Sequence, residues 1–137
     1  MEKEIPKFEV IVSGIIFDPE KKKILIGKRK EGHGANLLGW AFPGGRLMPG
    51  EDIDKALKQK IKLKTGYSVK NIGTFFSRTH ERRPGLVTIS FLTKVFEGKE
   101  MPGDDITELK WVSVDKLDSY FKIPIHKKLK EFLSELV

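Results

Sequence analysis

With 137 residues, 39% of them apolar and 33% charged, the chain has the size of one domain and enough hydrophobic side chains for a core, which excludes a disordered or fibrous protein. It has no cysteine, so a disulfide framework and a thiolate metal site are excluded as well. The amino terminus is too charged for a signal peptide, and no apolar run approaches the roughly 20 residues of a membrane span, so a cytoplasmic protein without a membrane partner is expected. Lys and Arg outnumber Asp and Glu by 26 to 19, a net +7. Most of these cations are expected to be solvated, but their surplus raises the local concentration of phosphate-bearing ligands.

Residues 7–17 are rich in Val, Ile and Phe and read as a strand, joined by the Asp18-Pro19-Glu20 turn to a second strand over 23–28, a hairpin. Residues 30–39 have loop composition, and Trp40-Ala41-Phe42 then leads into Pro43-Gly44-Gly45. Helical periodicity covers 52–65, with Asp52 as N-cap and Gly66 placed for a left-handed stop. Residues 69–77 and 86–96 are β-rich and read as antiparallel partners. Phe75 and Phe76 are expected on opposite faces. A strand over 108–114, a short helix over 114–121 and a final helix complete the chain. In that final helix Ile125, Leu129, Phe132, Leu133, Leu136 and Val137 form one stripe. Strands that are mostly antiparallel, with one helix among them and two after, predict an α+β or α/β/α sandwich: a mixed sheet flanked by helices, in a single domain over 1–137.

The glycine-rich entry into the first helix carries the chemistry. Glycines let a backbone approach a ligand closely, and the N–H groups at a helix start favour anions, so such a loop suits a diphosphate. The stretch Gly45-Arg46-Leu47-Met48-Pro49-Gly50-Glu51, followed by a helix ending at Gly66, resembles the Nudix box: Gly, five residues, Glu, seven residues, then Arg-Glu, an apolar residue, any residue, Glu-Glu, any residue, Gly and an apolar residue. Gly45, Glu51, Ile61, Gly66 and Tyr67 fall at the matching offsets. The flanks resemble the family too, in Gly27-Lys28-Arg29, in the run from Gly39 to Gly45, and in the segment from Glu108 to Leu117. The Gly32-His33-Gly34 loop is similar to MutT-like members that cleave nucleoside triphosphates. The resemblance implies a Nudix fold, a pyrophosphate-containing substrate, and Mg2+ or Mn2+ held by glutamates on the helix.

Those glutamates are where the chain departs. In place of Arg, Glu, Glu and Glu it has Gln59, Lys60, Leu63 and Lys64, which takes the formal charge of the four positions from −2 to +2. At an effective dielectric of about 20, each like-charge pair of unit charges at 4 Å costs roughly 4 kcal/mol, so a divalent ion is repelled and only Glu51 remains to hold it. No cofactor is expected unless a hydrolase reading holds, when it would be Mg2+ or Mn2+. On a helical wheel Leu63, Ala56, Lys60, Ile53, Lys64, Leu57 and Ile61 share one arc, with both lysines near its middle. An unpaired buried ammonium is expensive, so the two lysines snorkel, line a wet cleft, or bind phosphates in place of the metal.

The sequence therefore predicts a Nudix-fold protein that binds a nucleotide, a nucleoside-diphosphate derivative or another phosphorylated small molecule, with metal-dependent hydrolysis impaired or lost. Arg29, Gly44, Gly45, Arg46, Lys60, Lys64, Phe76 and Arg78 are the candidate ligand residues. Two rival readings stand. One is an active hydrolase of nucleoside triphosphates or nucleoside-diphosphate sugars with a nonstandard site, in the manner of GDP-mannose hydrolases. There Glu51, Glu108, Asp104 or Asp105 would supply carboxylates and His126 or His80 a base. The other is a protein- or RNA-binding scaffold, for which nucleic acid has no motif behind it. A dimer is compatible with the sequence. His33, His80 and His126 have ordinary loop or surface readings, and Asp104-Asp105 reads as a turn after Pro102-Gly103.

Overall fold

In the computed structural model, which describes residues 4–30 and 39–137, the first two apolar runs form β1 (Glu9–Asp18) and β2 (Lys23–Arg29). The Asp18 carboxylate accepts the Glu20 and Lys21 N–H groups at 2.9 and 3.2 Å and closes the turn between them. The expected hairpin is present but short, since only Phe17–Ile24 and Asp18–Lys23 pair. Beyond them β2 leaves β1, and β4 (Gly44–Leu47) takes over the same edge. The other edge of β1 is filled by β6 (Leu86–Gly98), which runs parallel to it.

One short segment bridges the resulting fork. β3 (Trp40–Ala41) pairs with β2, and after Phe42 and Pro43 the same chain pairs with β1 as β4. Pro43 has no N–H to give to a ladder, so it suits the point where the partner changes. Its carbonyl accepts the Gly14 N–H at 2.8 Å. Gly44 is required beside it: a Cβ there would lie 2.1 Å from the Val12 carbonyl oxygen. β5 (Tyr67–Thr79) pairs antiparallel with β6, and β7 (Ile106–Ser113) antiparallel with β2, giving a mixed seven-stranded sheet among the described residues.

α1 (Ile53–Thr65) covers one face of the sheet. Asp52 caps it by accepting the Lys55 N–H, and Gly66 stops it at φ 81°. Leu57 and Ile61 pack on Val12, Ile16, Leu25, Val69 and Phe91. A 3-10 turn (Val114–Lys116), α2 (Leu117–Tyr120) and α3 (Lys127–Glu135) cover the other, where Leu117, Leu129 and Leu133 join Ile15, Ile24, Ile26 and Val112. Each such aliphatic side chain contributes about 1.5–3 kcal/mol by leaving water. Among the described residues no helix is long and apolar enough to cross a membrane.

Two expectations are corrected. Leu63 is 60% exposed and Ile53 39%. The buried stripe of α1 is Ala56, Leu57, Ile61 and Thr65, narrower than the wheel implied and turned toward Thr65, whose hydroxyl donates to the Ile61 carbonyl. Phe75 and Phe76 do not alternate. The pairing register shifts between Thr74 and Phe76, and such a bulge adds a residue that breaks the period of two. Both rings therefore meet Phe132, at 6.0 and 5.8 Å.

Candidate functional site

The wheel placed two lysines where a packing helix would have aliphatic residues, and the fold supplies each with an acid. Lys64 lies with its Nζ 3.1 Å from Asp105 Oδ1 and 4.0 Å from Asp104 Oδ2. The other oxygen of Asp105 accepts the Nε–H of Arg29, the last residue of β2, at 3.1 Å. Asp105 is only 4% exposed. Burial pushes its carboxyl up, but the hydrogen bonds and charges of Lys64 and then Arg29 outweigh burial and hold it below the usual carboxylate value. The turn that places it was expected: Asp104 has φ 55°, and the Ile106 N–H donates to the Gly103 carbonyl.

Lys60, one helical turn earlier, lies across Gly45, where a Cβ would come within 3.2 Å of the lysine Cδ. Its Nζ is 3.7 Å from Glu51 Oε1, a longer and more exposed pair than Lys64 with Asp105. The same Glu51 oxygen accepts the Met48 N–H at 2.7 Å, so this carboxylate also closes the 48–51 turn. At the helix start, Asp52 already answers the Lys55 N–H. The backbone entry to the helix therefore carries its own acid, and the two paired lysines lie further along α1.

This donor set does not fit a divalent cation. Both oxygens of Asp105 face cations, and Glu51 is divided between a turn N–H and an ammonium. Among the described residues no three His, Asp or Glu side chains cluster so as to hold an ion. Arg29, Lys60 and Lys64 balance Glu51, Asp104 and Asp105 in formal charge.

The other candidates lie across the sheet or at its rim. Arg46 pairs with Ile11 in the ladder, on the α3 side, and donates to Glu9 Oε1 at 2.9 Å; Glu9 also takes Arg83. Arg78 donates to the Thr79 carbonyl. Phe76 is a core ring 5.2 Å from the His126 ring. His126 caps α3, its Nδ1 accepting the Lys128 N–H at 3.1 Å. His80 bonds Thr88 through Nε2 at 2.9 Å. Burial first, then the charges of Arg78, Arg83 and His126, lowers its pKa and keeps the ring neutral near pH 7. Glu108 is exposed and pairs across from Lys28. The Gly32-His33-Gly34 loop lies outside the described residues.

The structure thus gathers Arg29, Gly45, Glu51, Lys60 and Lys64 beside α1, and leaves Arg46, Phe76, Arg78, Glu108 and His126 outside that cluster. Asp105, treated from sequence as part of a turn and a secondary carboxylate, stands at its centre. The signal that could have raised it was the demand of two inward lysines for buried acids.

Comparison with known proteins agrees with this architecture. The sequence model of the NUDIX domain matches residues 7–136. An ADP-ribose pyrophosphatase of Methanocaldococcus jannaschii is 32% identical over 111 residues, 79% of this chain; the chain spans 63% of the length of that relative. A NUDIX hydrolase from Nitrosomonas europaea superposes with a TM-score of 0.79 at 19% identity, covering 96% of this chain and 73% of its own. A MutT NUDIX hydrolase from Burkholderia pseudomallei superposes at 0.72 and 20% identity, covering 96% and 99%. At these identities the superpositions speak for the fold.

Proposed function

Because the chain belongs to the Nudix family, we propose that it binds a nucleotide or nucleoside-diphosphate derivative beside α1, with fixed cations in the place of a divalent metal and with metal-dependent hydrolysis impaired or lost. The observation that carries this reading is the Lys64 ammonium 3.1 Å from the buried Asp105 carboxylate. A side-chain cation occupies the charge position that a metal would otherwise need, and it is bonded tightly enough to resist exchange for one. Nucleoside-diphosphate chemistry is supported by the relative that is an ADP-ribose pyrophosphatase.

Binding on this reading uses what the chain itself supplies. Lys60 is the accessible ammonium. A phosphate oxygen draws it away from Glu51, which keeps its bond to the Met48 N–H and so stays ordered. Arg29 has Nε on Asp105, and among the described residues nothing bonds the two-nitrogen edge of its guanidinium, which serves a second phosphate oxygen on this reading. Gly45 leaves room for the lysine stem between strand and ligand. The absence of cysteine accords with a reducing cell interior.

Titration calorimetry with ADP, ATP and GDP-mannose, with magnesium and with EDTA, tests the reading. The expected result is binding undiminished by EDTA and weakened about tenfold by Lys60→Glu, a loss of about 1.4 kcal/mol. A pyrophosphate- or phosphate-release assay should show no turnover near the ordinary enzyme range. A kcat above about 1 s⁻¹ in magnesium would overturn it.

A further inference from the structure

The two lysines of the altered box are held differently, and the difference suggests different tasks. Lys60 meets Glu51 at 3.7 Å, with 21% and 32% of the two side chains exposed. Lys64 meets Asp105 at 3.1 Å, with 14% and 5% exposed. The first is a loose pair at the rim, which an incoming anion can open at small cost. The second is desolvated on both sides, so opening it would take one of its cations from a buried carboxylate.

Asp105 also ties together the side chains of three separate parts of the chain. Lys64 lies in the last turn of α1, Arg29 at the end of β2, and Asp105 immediately before β7. The backbone supports the same junction: the Gly103 N–H donates to the Lys64 carbonyl at 3.2 Å, and the Lys30 N–H to the Asp105 carbonyl at 2.8 Å. One carboxylate in a rigid turn thereby fixes two long side chains from separate elements. A flexible cation loses rotamer entropy when it binds a ligand, and one already ordered does not.

We propose that Asp105 is a positioning residue for the anion site: it pins Lys64 and the Nε of Arg29, presents the outer edge of the Arg29 guanidinium to the ligand phosphate, and leaves Lys60 as the lysine that contacts that phosphate directly. This rests on the nucleotide reading above. It assigns Asp105 a favourable role in holding an anion although its own charge repels one, and that opposition of sign makes it testable.

The test is calorimetric titration of ADP into the full chain and into Asp105→Asn and Asp105→Glu, with the Arg29 Nε–H resonance followed by NMR. By Coulomb attraction alone, removing a carboxylate charge tightens anion binding. Positioning predicts the reverse: Asp105→Asn weakens ADP binding about tenfold, and the Arg29 Nε–H exchanges fast with water. Asp105→Glu, which keeps the charge, holds affinity within about threefold of wild type. Should Asp105→Asn fail to fold, Lys64→Met carries the test. It keeps the protected Arg29 resonance, because the carboxylate still holds Nε, and loss of that protection would count against the proposal. If wild type binds ADP and Asp105→Asn binds it as well or better, the positioning role is overturned and the nucleotide reading survives. If wild type binds none of ADP, ATP and GDP-mannose, both fall.

Discussion

On the α1 side the sheet meets a helix that carries two lysines on its inner flank; Glu51, just before the helix, meets Lys60, and the fold brings Asp104 and Asp105 from a distant turn to meet Lys64. On the α3 side it meets rings: Phe75 and Phe76 pack on Phe132, Phe76 on His126, and Trp40 on Tyr120 at 5.5 Å. Polar candidates there are engaged in local work, with His126 capping a helix and Arg46 bound to Glu9. The contrast teaches that candidate site residues in this chain are sorted by what answers their charge. A cation near a buried carboxylate is held in place, whereas a histidine that caps its own helix has one ring nitrogen already occupied.

Neighbouring glycines give the sharpest way to break this contrast. Gly44→Ala forces a methyl into the Val12 carbonyl and is expected to cost about 3 kcal/mol or more. Gly45→Ala meets only the movable stem of Lys60, so its stability cost should stay below about 1 kcal/mol while ADP affinity falls. Urea denaturation of the two variants measures the difference, and equal losses would mean that the Lys60 stem is as rigid as backbone.

Next in size is the acid dependence of the Asp105 junction. Its folded-state carboxyl is held below the unfolded value of about 3.9. The stability it supplies is therefore fully present above that value and is lost as pH falls through the lower, folded one. Wild type should exceed Asp105→Asn by about 2 kcal/mol from about pH 5 to 8, and the gap should close as pH drops below about 4. A gap that stays constant down to pH 2 would contradict the ion-paired state.

The smallest effect belongs to the opposite face. His126→Ala removes the α3 cap and a ring contact, so thermal unfolding should report a loss of about 1 kcal/mol. ADP affinity should change less than about twofold, because the two faces do not share partners. A tenfold loss of affinity would join them into a single site.

Much of this was legible from residue order. Asp52 and Gly66 bounded α1 correctly because capping is local chemistry, decided within four residues. The antiparallel β5–β6 pair was visible from its apolar runs. The bulge at Phe75 and Phe76 was not, since a register shift depends on the partner strand. The narrow buried stripe of α1 was likewise invisible, because a helical wheel knows angle but not which neighbours reach each side.

The sequence by itself determined the family, the helix with its caps, and the replacement of acids by Lys60 and Lys64, because each is written in spacing and residue type. Only the tertiary structure decided that Lys64 and Arg29 converge on Asp105, residues 41 and 76 positions from it along the chain. Such a pairing depends on the β2–β7 register and on the turn before β7 that bonds to α1's last residues, and no local pattern encodes a distance across a sheet.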